Sequence, residues 1–242
     1  MITVGAVTDN WTPANTNGWG VLSFSSTGPT VEGFVKPDVV APGGHLVGAM
    51  SKNMAISRAH PEFHNGGLLY TMSGTSQAAA VTSGVVALML QANPALTPDQ
   101  VKCRLMASSA SLVNASGTGA YSTFQQGAGL VNAYDAVYSQ AANCANQGLD
   151  VAVDLAGTKH FAGPAQQDPS TGSFYVIDSY GLPVLADGYL WNKAFAKNQA
   201  YLWNKAFAKN QAYLWNKAYL WNKSTVAPAS SPMANESWNQ QE

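Results

Sequence analysis

The sequence predicts an α/β fold, and three observations carry that reading: apolar runs that stop at glycine or proline turns, one long apolar helix, and a capped helix behind it. The first run, Ile2-Thr3-Val4-Gly5-Ala6-Val7, is rich in β-branched residues and ends at Thr8-Asp9-Asn10, which predicts a buried strand. Pro37-Asp38-Val39-Val40-Ala41 stops at Pro42-Gly43-Gly44, and Leu68-Leu69-Tyr70-Thr71-Met72 stops at Ser73-Gly74. Both predict strands closed by sharp turns.

Residues 75–91 are alanine, valine, leucine and methionine rich, with Gly84 as the internal breaker, and predict a helix buried on most sides. It stops near Asn93-Pro94. Thr97-Pro98-Asp99-Gln100 supplies an N-cap threonine, a proline at the first helical position and a glutamine three residues after the cap, so a second helix runs to about Ser108. Gly127-Ala128-Gly129-Leu130-Val131 predicts a short strand, and Asn132 caps a last helix.

Beyond that the chain changes character. Residues 1–142 form the α/β part, 143–188 weaken into a linker or loosely packed extension, and 225–242 read as a polar, disordered tail. Between them, residues 189–224 are six hexads: YLWNKA, FAKNQA, YLWNKA, FAKNQA, YLWNKA and YLWNKS. A six-residue period turns a helix by about 600°, so the aromatics collect on no single face and short extended segments fit better.

Residues 188–223 hold six lysines and no acid, against six basic and thirteen acidic groups elsewhere. The tryptophans of the hexads, Trp191, Trp203, Trp215 and Trp221, interleaved with lysine, suit glycan, nucleic acid or an anionic surface, and a repeat that packs on itself or on the α/β part fits equally. No apolar run reaches the eighteen or so residues of a membrane span, and Met1-Ile2-Thr3-Val4-Gly5 lacks the basic start of a signal peptide. Cys103 and Cys144 fit either a reduced pair or one disulfide.

Chemistry concentrates at Thr71-Met72-Ser73-Gly74-Thr75-Ser76-Gln77-Ala78-Ala79-Ala80, where a serine follows an apolar strand and a glycine turn and opens a helix. Amides of a first helical turn have no intrahelical acceptor and sit at the positive end of the dipole, so they can stabilise an oxyanion formed at Ser76.

At this point the chain resembles the subtilisin-like serine peptidases. Gly74-Thr75-Ser76-Gln77-Ala78-Ala79-Ala80 is similar to the family's nucleophile motif, and Phe24-Ser25-Ser26-Thr27-Gly28-Pro29-Thr30 to its FSSxGP loop. Lys36-Pro37-Asp38-Val39-Val40-Ala41-Pro42-Gly43 is similar to its KPDVxAPG strand and turn, and Gly127-Ala128-Gly129-Leu130-Val131-Asn132 to its closing strand and helix. The resemblance implies the C-terminal portion of a subtilisin-like parallel-sheet three-layer fold, here followed by a repeat-containing tail.

It also implies roles. Ser76 is the expected nucleophile, with the Ser76 amide and the Thr75 hydroxyl at the oxyanion hole and with Ser73, Gly74 and Gln77 along the substrate groove. The expected reaction is peptide-bond hydrolysis of protein or peptide substrates through an acyl-enzyme. The expected compartment of the intact protein is extracellular or cell-surface, and nucleic acid is not an expected partner.

Two departures qualify this. Ala80-Val81 stands where relatives carry proline and histidine. The family's aspartate motif, HGTH-type histidine motif and oxyanion-hole asparagine precede the segment matching Ile2, so the resemblance implies an N-terminally truncated fragment, inactive alone, whose partner is the missing half.

His45, His60, His64 and His160 do not replace the missing base: none lies in an HGTH-like context, and His60-Pro61-Glu62-Phe63-His64 reads as a solvated loop. Ile177-Asp178-Ser179-Tyr180-Gly181 follows the serine and is given no role. Asp38 matches a position that helps hold calcium in some relatives, but one carboxylate makes no oxygen cage, and capping of its turn is the expected role. No metal ligand or other cofactor is expected. The alternative to an enzyme is a surface- or partner-binding module acting through residues 189–224.

Overall fold

A computed structural model describes residues 1–9, 18–113, 120–146, 148–170 and 172–177, with the backbone of 183–184. The hexads, the tail and residues 178–182 lie outside the described residues.

Strands β1 (Val4–Thr8), β2 (Gly20–Val21) and β3 (Val39–Pro42) form one sheet in the order β2-β1-β3. β1 and β3 are parallel, with Val4 opposite Val39 and Val7 opposite Pro42, while β2 is antiparallel at the edge. The buried run predicted from β-branched residues has its reason in this placement, because alternation sends side chains to two covered faces. Ala6 and Ala41 face one way, and Val7 and Val40 pack the other way with Leu112 and Leu130.

After β3 the chain makes a lobe: β4 (Leu46–Ala49), helix α1 (Ala55–Ala59), a 3-10 turn at Pro61–Phe63, and β5 (Leu69–Met72). β4 and β5 pair antiparallel, Leu46 opposite Met72 and Ala49 opposite Leu69. β5 then leads into α2 (Thr75–Ala92), which lies on the sheet through fully buried Ala6, Ala41 and Ala78. Three alanines in contact let helix and sheet approach closely.

The expected burial of this helix on most sides is corrected. α2 buries Ala78, Thr82, Val85 and Met89, one stripe at helical spacing, while Ala79, Ala80, Ala87 and Leu88 are exposed. An alanine-rich composition marks which residues tolerate close packing without saying how many neighbours arrive. Helix α3 (Pro98–Ser108) starts with the predicted capping box at Thr97 and Gln100. It packs on α2, together with the helix at Ala133–Tyr138, through Met89, Leu96, Val101, Leu105 and Ala136; truncating buried Met89 to alanine removes about 2–5 kcal/mol of this contact.

α4 (Thr123–Gln126) and α5 (Ala133–Tyr138) follow, the latter capped by Asn132, whose side chain accepts from the Asp135 amide. The strand predicted at residues 127–131 is reduced to isolated bridges of Leu130 with Val40 and Ala110. Gly127 and Gly129 adopt φ of 58° and 117°, left-handed values that break a strand, and backbone carbonyls occupy the space a side chain would need.

The segment after α5 is packed, where its composition predicts a linker or loose extension. Cys103 and Cys144 form a disulfide across a sequence separation of 41, a loop closure that stabilises by about 4 kcal/mol on chain-entropy grounds. Helix α6 (Val151–Leu155) is capped by Asp150, and β6 (Ala165–Gln167), β7 (Phe174–Ile177) and β8 (Pro183–Val184) make a second antiparallel sheet. Val176 is fully buried against Val39, Met106, Phe124 and Ala128, and the Gly163 and Ala165 amides donate to the Glu32 and Gly33 carbonyls.

Candidate active site

The corner where β5 gives way to α2 holds all the residues expected at the nucleophile. Gly74 is the N-cap and has no side chain to offer the helix, so its carbonyl carries the turn, accepting from the Gln77 and Ala78 amides at 3.1 and 3.3 Å. The preceding two amides, of Thr75 and Ser76, have no acceptor among the described residues. Ser76 is exposed, and Ser73, Gly74, Thr75 and Gln77 are half-buried around it. Two open N–H groups at the positive end of an 18-residue helix, beside an exposed hydroxyl, can bind a developing negative charge.

The corner is held from outside the motif. The Gly74 amide donates to the Gly43 carbonyl at 2.7 Å, and the Gly43 amide donates to the Val7 carbonyl at 2.9 Å. The Ser73 hydroxyl accepts from the His45 amide at 2.9 Å. Gly43 has no room for a side chain: a Cβ there would stand 2.6 Å from the Ala6 Cβ and 2.8 Å from the Gly74 carbonyl oxygen. Gln77 folds back over the turn, its Nε2 donating to the Met72 sulfur at 3.5 Å. Sequence reasoning missed Gly43, the His45 amide and Met72. The Pro42-Gly43-Gly44 turn signalled the first two, whereas nothing marked Met72 among the apolar residues of its strand.

The histidines fall in separate places. His45 meets the corner through its backbone, His60 Nδ1 lies 3.2 Å from Glu62 Oε1, and His160 Nδ1 lies 3.1 Å from Asp154 Oδ1. His64 corrects the reading of a solvated loop, since it is half-buried with both ring nitrogens engaged, Nε2 at the Met50 carbonyl and Nδ1 at the Gly66 amide.

Asp38 corrects another expectation, because it ties segments together instead of capping its turn. Its Oδ2 accepts from the Thr3 amide, the Thr3 hydroxyl and Lys36 Nζ, and its Oδ1 lies 2.9 Å from Lys102 Nζ. Burial pushes this carboxyl up, but Lys102, then Lys36 and the Thr3 amide, outweigh it and hold the group below the ordinary carboxylate range. Burial likewise pushes the Lys36 ammonium down against the pull of Asp38. Two ammonium groups already meet one carboxylate here, an arrangement that repels a cation. Among the described residues no three His, Cys, Asp or Glu side chains gather as a metal site.

The profile of the subtilase family matches residues 1–129. The serine protease AprX of Bacillus subtilis (strain 168) is 48% identical over 102 residues, which are 42% of this chain and 23% of that protein. The subtilisin-like protease SBT4.4 of Arabidopsis thaliana is 37% identical over 121 residues, 48% of this chain and 16% of the relative. The chain thus spans less than a quarter of the length of either relative. Among solved structures, fervidolysin from Fervidobacterium pennivorans aligns over 78% of this chain and 26% of its own, at 23% identity and a TM-score of 0.42. With its family profile covering more than half of the 242 residues, the chain belongs to the subtilase family.

Proposed function

We propose that this chain carries the nucleophile of a serine endopeptidase. The observation that supports it is the exposed Ser76 at a helix start whose first amides have no acceptor among the described residues, immediately after a strand. In this reading Ser76 Oγ attacks the carbonyl carbon of a peptide bond, and the negative charge that develops on the carbonyl oxygen meets the Ser76 amide and the Thr75 hydroxyl. Each such donor is worth about 3–4 kcal/mol of transition-state stabilisation. The amine leaves with a proton, an acyl ester remains on Ser76, and water hydrolyses it.

A histidine must take the serine proton and an aspartate must orient that histidine. We assign both, and the rest of a three-layer subtilisin-like domain, to polypeptide outside these 242 residues, so the chain alone hydrolyses no peptide at a measurable rate. Ser73, Gly74 and Gln77 border the groove for a protein or peptide substrate. The Cys103–Cys144 disulfide supports an extracellular or cell-surface setting, where such bonds persist.

Casein hydrolysis by the longest reading frame containing this chain tests the assignment. Ser76→Ala is expected to lower the rate by about a thousandfold or more. An unchanged rate in the variant discards it.

A further inference from the structure

The lobe between β3 and α2 contains a histidine whose two hydrogen bonds select one tautomer of the neutral ring. His64 Nδ1 receives the Gly66 backbone N–H at 2.9 Å, and His64 Nε2 lies 3.0 Å from the Met50 carbonyl oxygen. A backbone amide can only donate and a carbonyl can only accept. Nδ1 therefore has its lone pair free and Nε2 carries the proton, which is the neutral ring in one tautomer. The ring spans the end of β4 and the turn that starts β5, joining two ends of the hairpin.

The turn it holds is tight and local. Asn65 Oδ1 accepts from the Gly67 and Leu69 amides, and the Asn65 amide donates to the Leu69 carbonyl. Gly66 sits at a φ of 79°. Tyr70, buried beneath, receives the edges of His64 and Phe63 at ring separations of 6.2 and 6.3 Å. A second proton on His64 would place an N–H against the Gly66 N–H, and that bond cannot survive. The Met50 bond tolerates the charge.

We infer that His64 is an acid-sensitive latch: neutral, it closes the β4–β5 hairpin by bridging Met50 and Gly66, and protonated, it releases the Gly66 turn. The titratable side chain packed on it is Tyr70 from β5, by ring contact; the His60–Glu62 pair, Lys52 and Arg58 are the remaining charges of the lobe. Because β5 runs straight into Ser73 and Ser76, release loosens the strand that leads to the corner. The inference stands on hydrogen-bond geometry alone and is independent of the role given to Ser76.

Hydrogen exchange of the 242-residue chain, compared at about pH 8 and about pH 5 after correction for intrinsic exchange rates, reads the latch. Peptides covering residues 64–70 are expected to lose about tenfold in protection at the lower pH, the scale of one hydrogen bond, while α3 does not change. His64→Gln should make this segment equally labile at both values, and His60→Gln should leave the response intact. Nitrogen NMR of the wild-type His64 ring gives a reading without any variant, with the Nε2–H tautomer expected at the higher pH. Equal protection at both pH values, a pH response that survives His64→Gln, or the Nδ1–H tautomer overturns the latch.

Discussion

The corner between β5 and α2 and the hub around Asp38 are both made of residues that resemble family motifs, yet they use their polar groups in opposite ways. At the hub each carboxylate oxygen is occupied, by two lysines and the backbone and hydroxyl of Thr3. At the corner the Thr75 and Ser76 amides and an exposed hydroxyl stand without such partners among the described residues. Satisfied buried polar groups hold a fold together, while open ones at an accessible helix start bind water and are available to a ligand. The difference separates two sites that look equally prominent as motifs.

Substitutions at the two sites should therefore affect different quantities. Ser76→Ala should remove about a thousandfold or more of casein hydrolysis by the longest reading frame containing this chain and shift the urea unfolding midpoint by an amount equivalent to less than about 0.5 kcal/mol. A large loss of stability would merge the two sites again. Asp38→Asn leaves Lys36 and Lys102 buried without their counter-charge and should cost about 3–5 kcal/mol by the same unfolding measurement.

The pH dependence of the hub has a definite sign. The Asp38 carboxyl is held below its unfolded value of about 3.9, so its contribution is fully present above that pH and fades as the pH falls through the depressed folded value. Acid unfolding of the wild type should steepen there, and Asp38→Asn should flatten it. The smallest effect is at Gly43→Ala, where overpacking against Ala6 and the Gly74 carbonyl should cost about 1–3 kcal/mol and displace the corner. If Gly43→Ala left both stability and hydrolysis unchanged, the clamp on the nucleophile turn would be removed from the account.

What could be read from the chain followed from how local the determinants are. The capping box at Thr97 and Gln100, the Asn132 cap and the strand stops at Pro42 and Ser73 are decided within a few residues, and the structure has them. Ser76 at the first turn of a helix is equally local, since an apolar run, a glycine and an alanine-rich segment specify it. The outer face of α2, the extension that buries Val176 and the ion pair from Lys102 to Asp38 depend on which distant segments meet. No window of sequence holds both partners of those contacts. Gly43 lies between the two cases: its turn was readable, but the reason it must be glycine is Ala6 of β1 and Gly74 at the N-cap of α2.

The central claim is that Ser76, and no other serine of this chain, is the activated nucleophile. Treating the longest reading frame containing this chain with a fluorophosphonate and locating the adduct by peptide mass spectrometry tests it most directly, because only an activated hydroxyl reacts. One adduct on the peptide containing Ser76, absent from Ser76→Ala, is the expected result. An adduct on a different residue, or labelling that persists in the variant, contradicts it.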